Sequence, residues 1–202
     1  KNHVYSKEME HDACGVGAIV STEGKKSREI VEHGIEALKA VWHRGAVDAD
    51  GKTGDGAGIH VEIPKDFFIE KIEVTGHDYD NAEICVGMIF LPRNDYLAQE
   101  SCKTIVESEL TKNNFSIYGW RQVPVNPKIL GQKALQTMPE IIQVLFKSND
   151  QNLLDKNLER KIYETRKKIE KKAFQLSLNN FYICSISSKS IIYKGLYLAE
   201  AI

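Results

Sequence analysis

Along the chain, apolar positions switch between helical and strand spacing, separated by polar or glycine-rich runs. Residues 1–13 (KNHVYSKEMEHDA) carry no apolar period and read as a polar leader or arm. Cys14–Val20 (CGVGAIV) reads as a short apolar strand with two glycines. Ser21–Lys26 reads as a turn, and Ser27 is placed to cap a helix reaching about Trp42. Val31, Ile35, Leu38 and Trp42 recur at helical spacing and predict one buried face. A glycine-dense loop, His43–Gly58, then feeds a strand at Ile59–Ile63, closed by Pro64.

The rest of the chain continues the mixture. Strands are expected at Ile84–Leu91, Phe115–Val123 and Glu140–Lys147, and a helix at Asp95–Lys112. Leu153–Leu178 reads as a long helix with Leu154, Leu158, Ile162, Ile169 and Leu176 inward. Phe181–Ser187 and Ser190–Tyr197 are closing strands, with Ser188-Lys189 as a hairpin-sized link. Strands outnumber helices and the helices fall between strand groups. That pattern suits a layered α+β domain, with sheets packed together and helices outside.

Composition narrows the function classes. A length of 202 residues suits one domain, at most a domain and a fragment. A net charge of -1 lacks the basic excess of a nucleic-acid binder, and the Lys- and Arg-rich face of the long helix, interleaved with Glu, reads as solvated. No apolar run reaches the roughly 18 residues needed to span a bilayer, so no membrane partner is expected. No signal peptide is visible. A cytoplasmic location is the expectation, with an organelle open because the chain begins at Lys1 rather than Met.

Cysteine usage sets the chemistry. Cys14, Cys85, Cys102 and Cys184 are widely spaced and form no CxxC pair, which argues against a disulfide framework or a structural zinc site. Cys85, Cys102 and Cys184 lie in apolar patterns and read as buried thiols. Cys14 differs, because Gly15 and Gly17 leave its surroundings open.

The loop HRGAVDADGKTGDGAG is the second candidate, with Arg44, Asp48, Asp50 and Asp55 among its glycines. An arginine beside a glycine turn suits a carboxylate, which guanidinium binds bidentately. Sharper motifs fail here. An EF-hand starting at Asp48 would place Lys52, Thr53 and Ile59 where a ligand, a glycine and a glutamate are needed. GDGAG precedes a strand, whereas a dinucleotide fingerprint follows one and opens a helix. No P-loop Lys-Ser/Thr ends the run, no GxSxG elbow occurs, and His11 with Cys14 lacks two further metal ligands.

Taken together, a Cys-Gly-Val-Gly run, a helix, His-Arg-Gly, an Asp/Gly loop and a strand resemble the class II glutamine amidotransferases. Within that class the likeness is to the glutamate synthases. It is carried by ACGVGAIV, HRGAVDADGKTGDGAGI with HVEIP, VGMIFLP, ERKIYETRKKIEKK and FYICSISSKSIIYKGLYLAE, and runs from about Cys14 to the last residue. The TGDGAG loop and the YKGLYLAE end are its more specific parts.

The resemblance implies a four-layer α/β/β/α sandwich of the N-terminal-nucleophile hydrolase type, incomplete at the C-terminus. It implies a leader over residues 1–13, cut between Ala13 and Cys14, and an amidotransferase domain over residues 14–202. Cys14 would be the nucleophile. Arg44 and Gly45 would order the chain near it, and Thr53, Gly54 and Asp55 would line or shape the pocket for glutamine. No metal is implied. FMN and an iron–sulfur cluster are implied for a separate synthase domain, not for this chain, together with a reductase subunit or NAD(P)H or ferredoxin as electron source. The family's oxyanion asparagine and glycine, and its arginine and aspartate for the substrate α-groups, would lie beyond residue 202, so this piece is expected to be inactive alone. Two other readings stand beside this one: a glutaminase domain serving another acceptor, and a catalytically dead docking domain.

Overall fold

The computed structural model describes residues 14–42, 45–153 and 155–202. These fall into two compact units. The larger comprises His60–Pro127 and Leu135–Tyr193; the smaller comprises the described residues of Lys1–Ile59 with Lys128–Ala134 and Lys194–Ile202.

The larger unit is organised by a four-stranded antiparallel sheet in the order β3-β4-β2-β5. Its strands are β2 (Cys85–Leu91), β3 (Phe115–Gln122), β4 (Glu140–Ser148) and β5 (Tyr182–Ser187). β2 is central, so its sequence CVGMIFL is apolar almost throughout. Alternate residues serve two cores. Cys85, Ile89 and Leu91 join Val144, Phe146 and Ile183 on one face, under α3 (Tyr96–Lys112) and α5 (Asp155–Gln175). Val86 and Met88 join Leu145, Tyr118 and Cys184 on the other, where Phe68 and Ile72 of α2 (Lys65–Val74) and Ile191 of β6 (Ser190–Gly195) pack. Phe68, Phe115 and Phe146 are fully buried, and each such burial stabilises by roughly 1.5–3 kcal/mol. Gly119 allows a bulge in β3. Its φ is +151°, and a Cβ there would sit 2.8 Å from Thr75 Cγ2.

The helices follow their sequence signals closely. Asp95 caps α3 by accepting from Ala98 N–H at 2.9 Å, and α3 turns Cys102, Ile105, Val106 and Leu110 inward. α5 buries Leu158, Ile162, Thr165, Ile169 and Ala173. Leu154 lies outside the described residues. Leu176 was expected inward but is 62% exposed, because α5 ends at Gln175 and the helical period no longer applies beyond it.

Two features of the larger unit depart from the sequence reading. α2 is absent from the sequence reading. Phe67, Phe68, Ile69, Ile72 and Val74 suggest strand composition, and Pro64 reads as a strand stop, yet Pro64 occupies the position before the first helical residue. The Ser188-Lys189 link is not a hairpin. β5 pairs with β2, while β6 pairs with β1 (Ala57–Glu62), so the link is a corner between two sheets. Glu159 of α5 holds that corner, accepting from Ser188 N–H and hydroxyl at 2.7 Å each and from the Ser187 hydroxyl at 2.9 Å.

In the smaller unit, α1 (Arg28–Ala40) starts where Ser27 Oγ accepts from Ile30 N–H at 3.4 Å. Its expected buried face is only half-covered: Val31, Ile35 and Leu38 are partly accessible and Trp42 is 57% exposed. The short helical turn Ala199–Ala201 lies against α1 but is too small to cover thirteen residues. Cys14–Val20, expected as a strand, is not one, because no strand pairs with it among the described residues. No described helix is long and apolar enough to cross a membrane.

Candidate active site

In the smaller unit the glycine-dense loop folds into a tight two-armed turn. Val47 and Gly54 form an antiparallel bridge. Asp48 N–H donates to the Thr53 carbonyl at 2.9 Å, and Asp55 N–H donates to the Ala46 carbonyl at 3.2 Å. Gly51 closes the turn at φ +69°, a conformation that favours glycine.

Asp50 organises this turn from inside. Its Oδ1 accepts from Lys52 N–H at 3.0 Å and from Thr53 N–H at 2.7 Å. Its Oδ2 accepts from the Thr53 hydroxyl at 2.6 Å. An aspartate that gathers its own downstream amides makes a turn with little help from elsewhere. The Thr53 hydroxyl, followed by the backbone donors, holds the Asp50 carboxyl far below the usual carboxylate range.

A remote segment clamps the same turn. Lys133 N–H reaches Asp50 Oδ2 at 3.5 Å, and Ala134 N–H reaches Thr53 Oγ1 at 3.4 Å. The Lys133 ammonium meets Asp48 Oδ2 at 2.5 Å; this contact lowers the Asp48 pKa and raises that of Lys133. Gly131 passes so close that a Cβ would overlap the Asp50 carboxylate and the Thr53 hydroxyl. Against the opposite arm, a Cβ on Gly54 would lie 2.5 Å from the Tyr197 carbonyl oxygen.

The site residues expected from the sequence are distributed as follows. Cys14 carries an exposed free thiol on the Cys14–Val20 segment, which has no regular secondary structure. Ala13 and Arg44 lie outside the described residues. Gly45 N–H donates to the Trp42 carbonyl at 3.0 Å, and its Cα faces Asp55, whose Oδ1 would lie 3.2 Å from a Cβ there. Thr53 and Gly54 are buried, and Asp55 is exposed. The turn therefore brings Gly45, Thr53, Gly54 and Asp55 together, while no hydrogen bond among the described residues ties Cys14 to them. Thr53 spends its hydroxyl within the protein, so it shapes the loop from below. Sequence reading missed Gly131, Lys133 and Tyr197. Only the Asp-x-x-Thr spacing at Asp50 and Thr53 hinted at a local turn, and nothing local could announce a clamp some eighty residues away.

The described residues do not fit a resident metal or cluster. They contain no group of three or more His, Cys, Asp or Glu suited to a metal ion. Cys85, Cys102 and Cys184 are buried in separate elements, with burial raising the thiol pKa of Cys85, and that of Cys102 to about 11.

Comparison with known proteins fits this picture. The family model for class II glutamine amidotransferases matches residues 14–202. The large chain of the NADPH glutamate synthase of Azospirillum brasilense is 54% identical over 198 residues, covering 98% of this chain and 13% of that protein. Ferredoxin-dependent glutamate synthase 1 of Arabidopsis thaliana, chloroplastic/mitochondrial, is 39% identical over 96% of this chain and 12% of its own length. The ferredoxin-dependent enzyme of Antithamnion sp. is 39% identical over 95% of this chain and 13% of its own length. The chain thus spans about an eighth of these relatives. A match that starts at Cys14 and runs through the glycine loop to the last residue places the chain in the class II glutamine amidotransferases, with its likeness to the glutamate synthases.

Proposed function

We propose that this domain hydrolyses glutamine with Cys14 as nucleophile, and that the ammonia is used by a 2-oxoglutarate-aminating synthase site elsewhere in the parent enzyme. The observation that carries this reading is the starting point of the family match, which is Cys14 itself. Removal of residues 1–13 at the Ala13–Cys14 bond gives Cys14 a free α-amine. Such an amine has a pKa of about 7.7–8.0 and a thiol about 8.5, so the amine can take the thiol proton at small cost. One residue then supplies both nucleophile and base, roles that other enzymes divide between Cys and His.

The thiolate attacks the side-chain amide carbon of glutamine, forming a carbon–sulfur bond and an oxyanion. The carbon–nitrogen bond breaks, and the leaving nitrogen takes the proton held by the α-amine and departs as ammonia. Water then attacks the thioester, releasing glutamate and restoring the thiol. Arg44 and Gly45 order the chain beside the nucleophile. Thr53, Gly54 and Asp55 shape the pocket, Asp55 being the one of the three whose side chain reaches solvent. Oxyanion donors and the ligands of the glutamate-like α-groups come from chain beyond residue 202. FMN and an iron–sulfur cluster belong to the synthase domain, fed by a reductase subunit, NAD(P)H or ferredoxin.

In the full-length parent, Cys14→Ala is expected to abolish glutamine-dependent glutamate formation while ammonia-dependent formation survives. N-terminal sequencing of the active enzyme is expected to begin at Cys14. Undiminished use of glutamine by the variant, or activity with the Ala13–Cys14 bond intact, overturns the proposal.

A further inference from the structure

Asp50 is an aspartate without an assigned part in the reaction, yet it is the hub of the glycine loop. Its two oxygens accept from Lys52 N–H, Thr53 N–H, the Thr53 hydroxyl and Lys133 N–H. Thr53 is buried, and its hydroxyl links the loop both to Asp50 and to Ala134 N–H. Gly131 presents bare backbone where any side chain would strike both groups. On the far side, Gly54 is pressed against the Tyr197 backbone. The loop is thus held between two remote segments of its own unit, and the carboxylate–hydroxyl pair is the joint to one of them.

We propose that Asp50, acting through Thr53, is a positioning residue for glutamine binding: it fixes the loop that presents Gly54 and Asp55, with Gly131 leaving the room this requires. This rests on the glutaminase reading above. Asp50 itself touches no substrate. Its carboxylate gathers the Thr53 amide and hydroxyl, and the next two residues in the chain are Gly54 and Asp55. Without it the loop keeps its sequence but loses the constraint on where Gly54 and Asp55 stand. The effect therefore belongs to substrate affinity rather than to the chemistry of the sulfur.

The test uses the full-length enzyme and four variants: Asp50→Ala, Thr53→Val, Thr53→Ser and Cys14→Ala. Glutamine KM and kcat are measured for each. Alkylation of Cys14 by iodoacetamide is followed with and without glutamine in the three that keep the thiol. Asp50→Ala and Thr53→Val are expected to raise the glutamine KM by about tenfold, the scale of a charge-assisted hydrogen bond, with a smaller change in kcat. Protection of Cys14 should then need about tenfold more glutamine in them, although the unprotected alkylation rate stays as in the native protein. Thr53→Ser, which keeps the hydroxyl, should restore both protection and KM relative to Thr53→Val. A native KM with full protection in Asp50→Ala overturns the inference, as does a Thr53→Ser that behaves like Thr53→Val. A change in the unprotected alkylation rate also overturns it, since that marks general collapse. If Asp50→Ala does not fold, the Thr53 pair decides alone. Cys14→Ala separates the two levels: if it leaves glutamine turnover intact, the glutaminase reading itself falls, whereas its inactivity beside a native-like Asp50→Ala removes only the positioning role.

Discussion

At the residue scale, buried polar groups show where the chain has made firm local commitments. Tyr118 is 3% exposed and donates to Asp80 Oδ1 at 2.6 Å, while Lys147 pairs with Oδ2. The Lys147 contact, then the Tyr118 hydroxyl, lowers the Asp80 pKa from 3.8 to about 2. Burial first, and then Asp80, pushes the Tyr118 phenol up. A carboxyl depressed on folding contributes stability that is complete above its unfolded pKa and disappears as pH falls through its folded one. Asp80 should therefore stabilise the protein fully above about pH 4 and lose that contribution towards pH 2. Urea midpoints measured from pH 6 down to 2 should show Asp80→Asn less stable than the native protein near neutrality, with the gap closing in acid. A gap that stays constant with pH would contradict this account. The sequence offered no view of the triad, since Asp80 lies 38 residues from Tyr118 and 67 from Lys147. By contrast Cys14 was legible, because glycines on either side of Val16 mark it off from the other three thiols.

At the scale of elements, strands and amphipathic helices were readable wherever one period dominated. β2 carries a continuous apolar run because both its faces are covered, and α5 keeps helical spacing over five inward residues. α2 escaped because its aromatic and branched residues crowd together and its leading proline reads equally well as a strand stop. Cys14–Val20 has strand composition, but a strand also needs a neighbour, which is a property of the whole sheet. The β5–β6 link has the length of a hairpin, and only the pairing of β6 with β1 reveals a corner. That corner depends on one glutamate of α5. Glu159→Ala removes the acceptor from Ser188 N–H and hydroxyl, and Ser188 is only 1% exposed. The expected loss is about 1–3 kcal/mol in chemical denaturation, the cost of leaving buried donors unsatisfied. An unchanged midpoint would mean that water replaces the carboxylate freely.

At the scale of the whole molecule, the four thiols form a contrast that one experiment can read. Cys85, Cys102 and Cys184 are buried in β2, α3 and β5, whereas Cys14 is exposed. Raised thiol pKa values in Cys85 and Cys102 further suppress the thiolate that alkylating agents need. Native protein is therefore expected to take up one equivalent of iodoacetamide, at Cys14, and unfolded protein four. Rapid native labelling at a second site, located by peptide mapping, would show that a core opens easily. The layered α+β class was visible from alternating patterns alone, while the four-layer sandwich type needed the family resemblance. The site was half legible: the loop announced itself by glycine and aspartate, but the segments that clamp it belong to other stretches of chain.

The clamp on the glycine loop also has a history in time. Asp50 and the Lys133 amide that binds it are 83 residues apart, and Tyr197, which backs Gly54, comes later still. A ribosome adding about 5–20 residues per second would release the loop several seconds before its first support exists. Throughout that interval Cys14 is already made and the clamped loop is not. The order of synthesis thus puts the exposed thiol ahead of the finished loop, and a synthesis that stalls before Lys133 yields Cys14 with an unclamped loop.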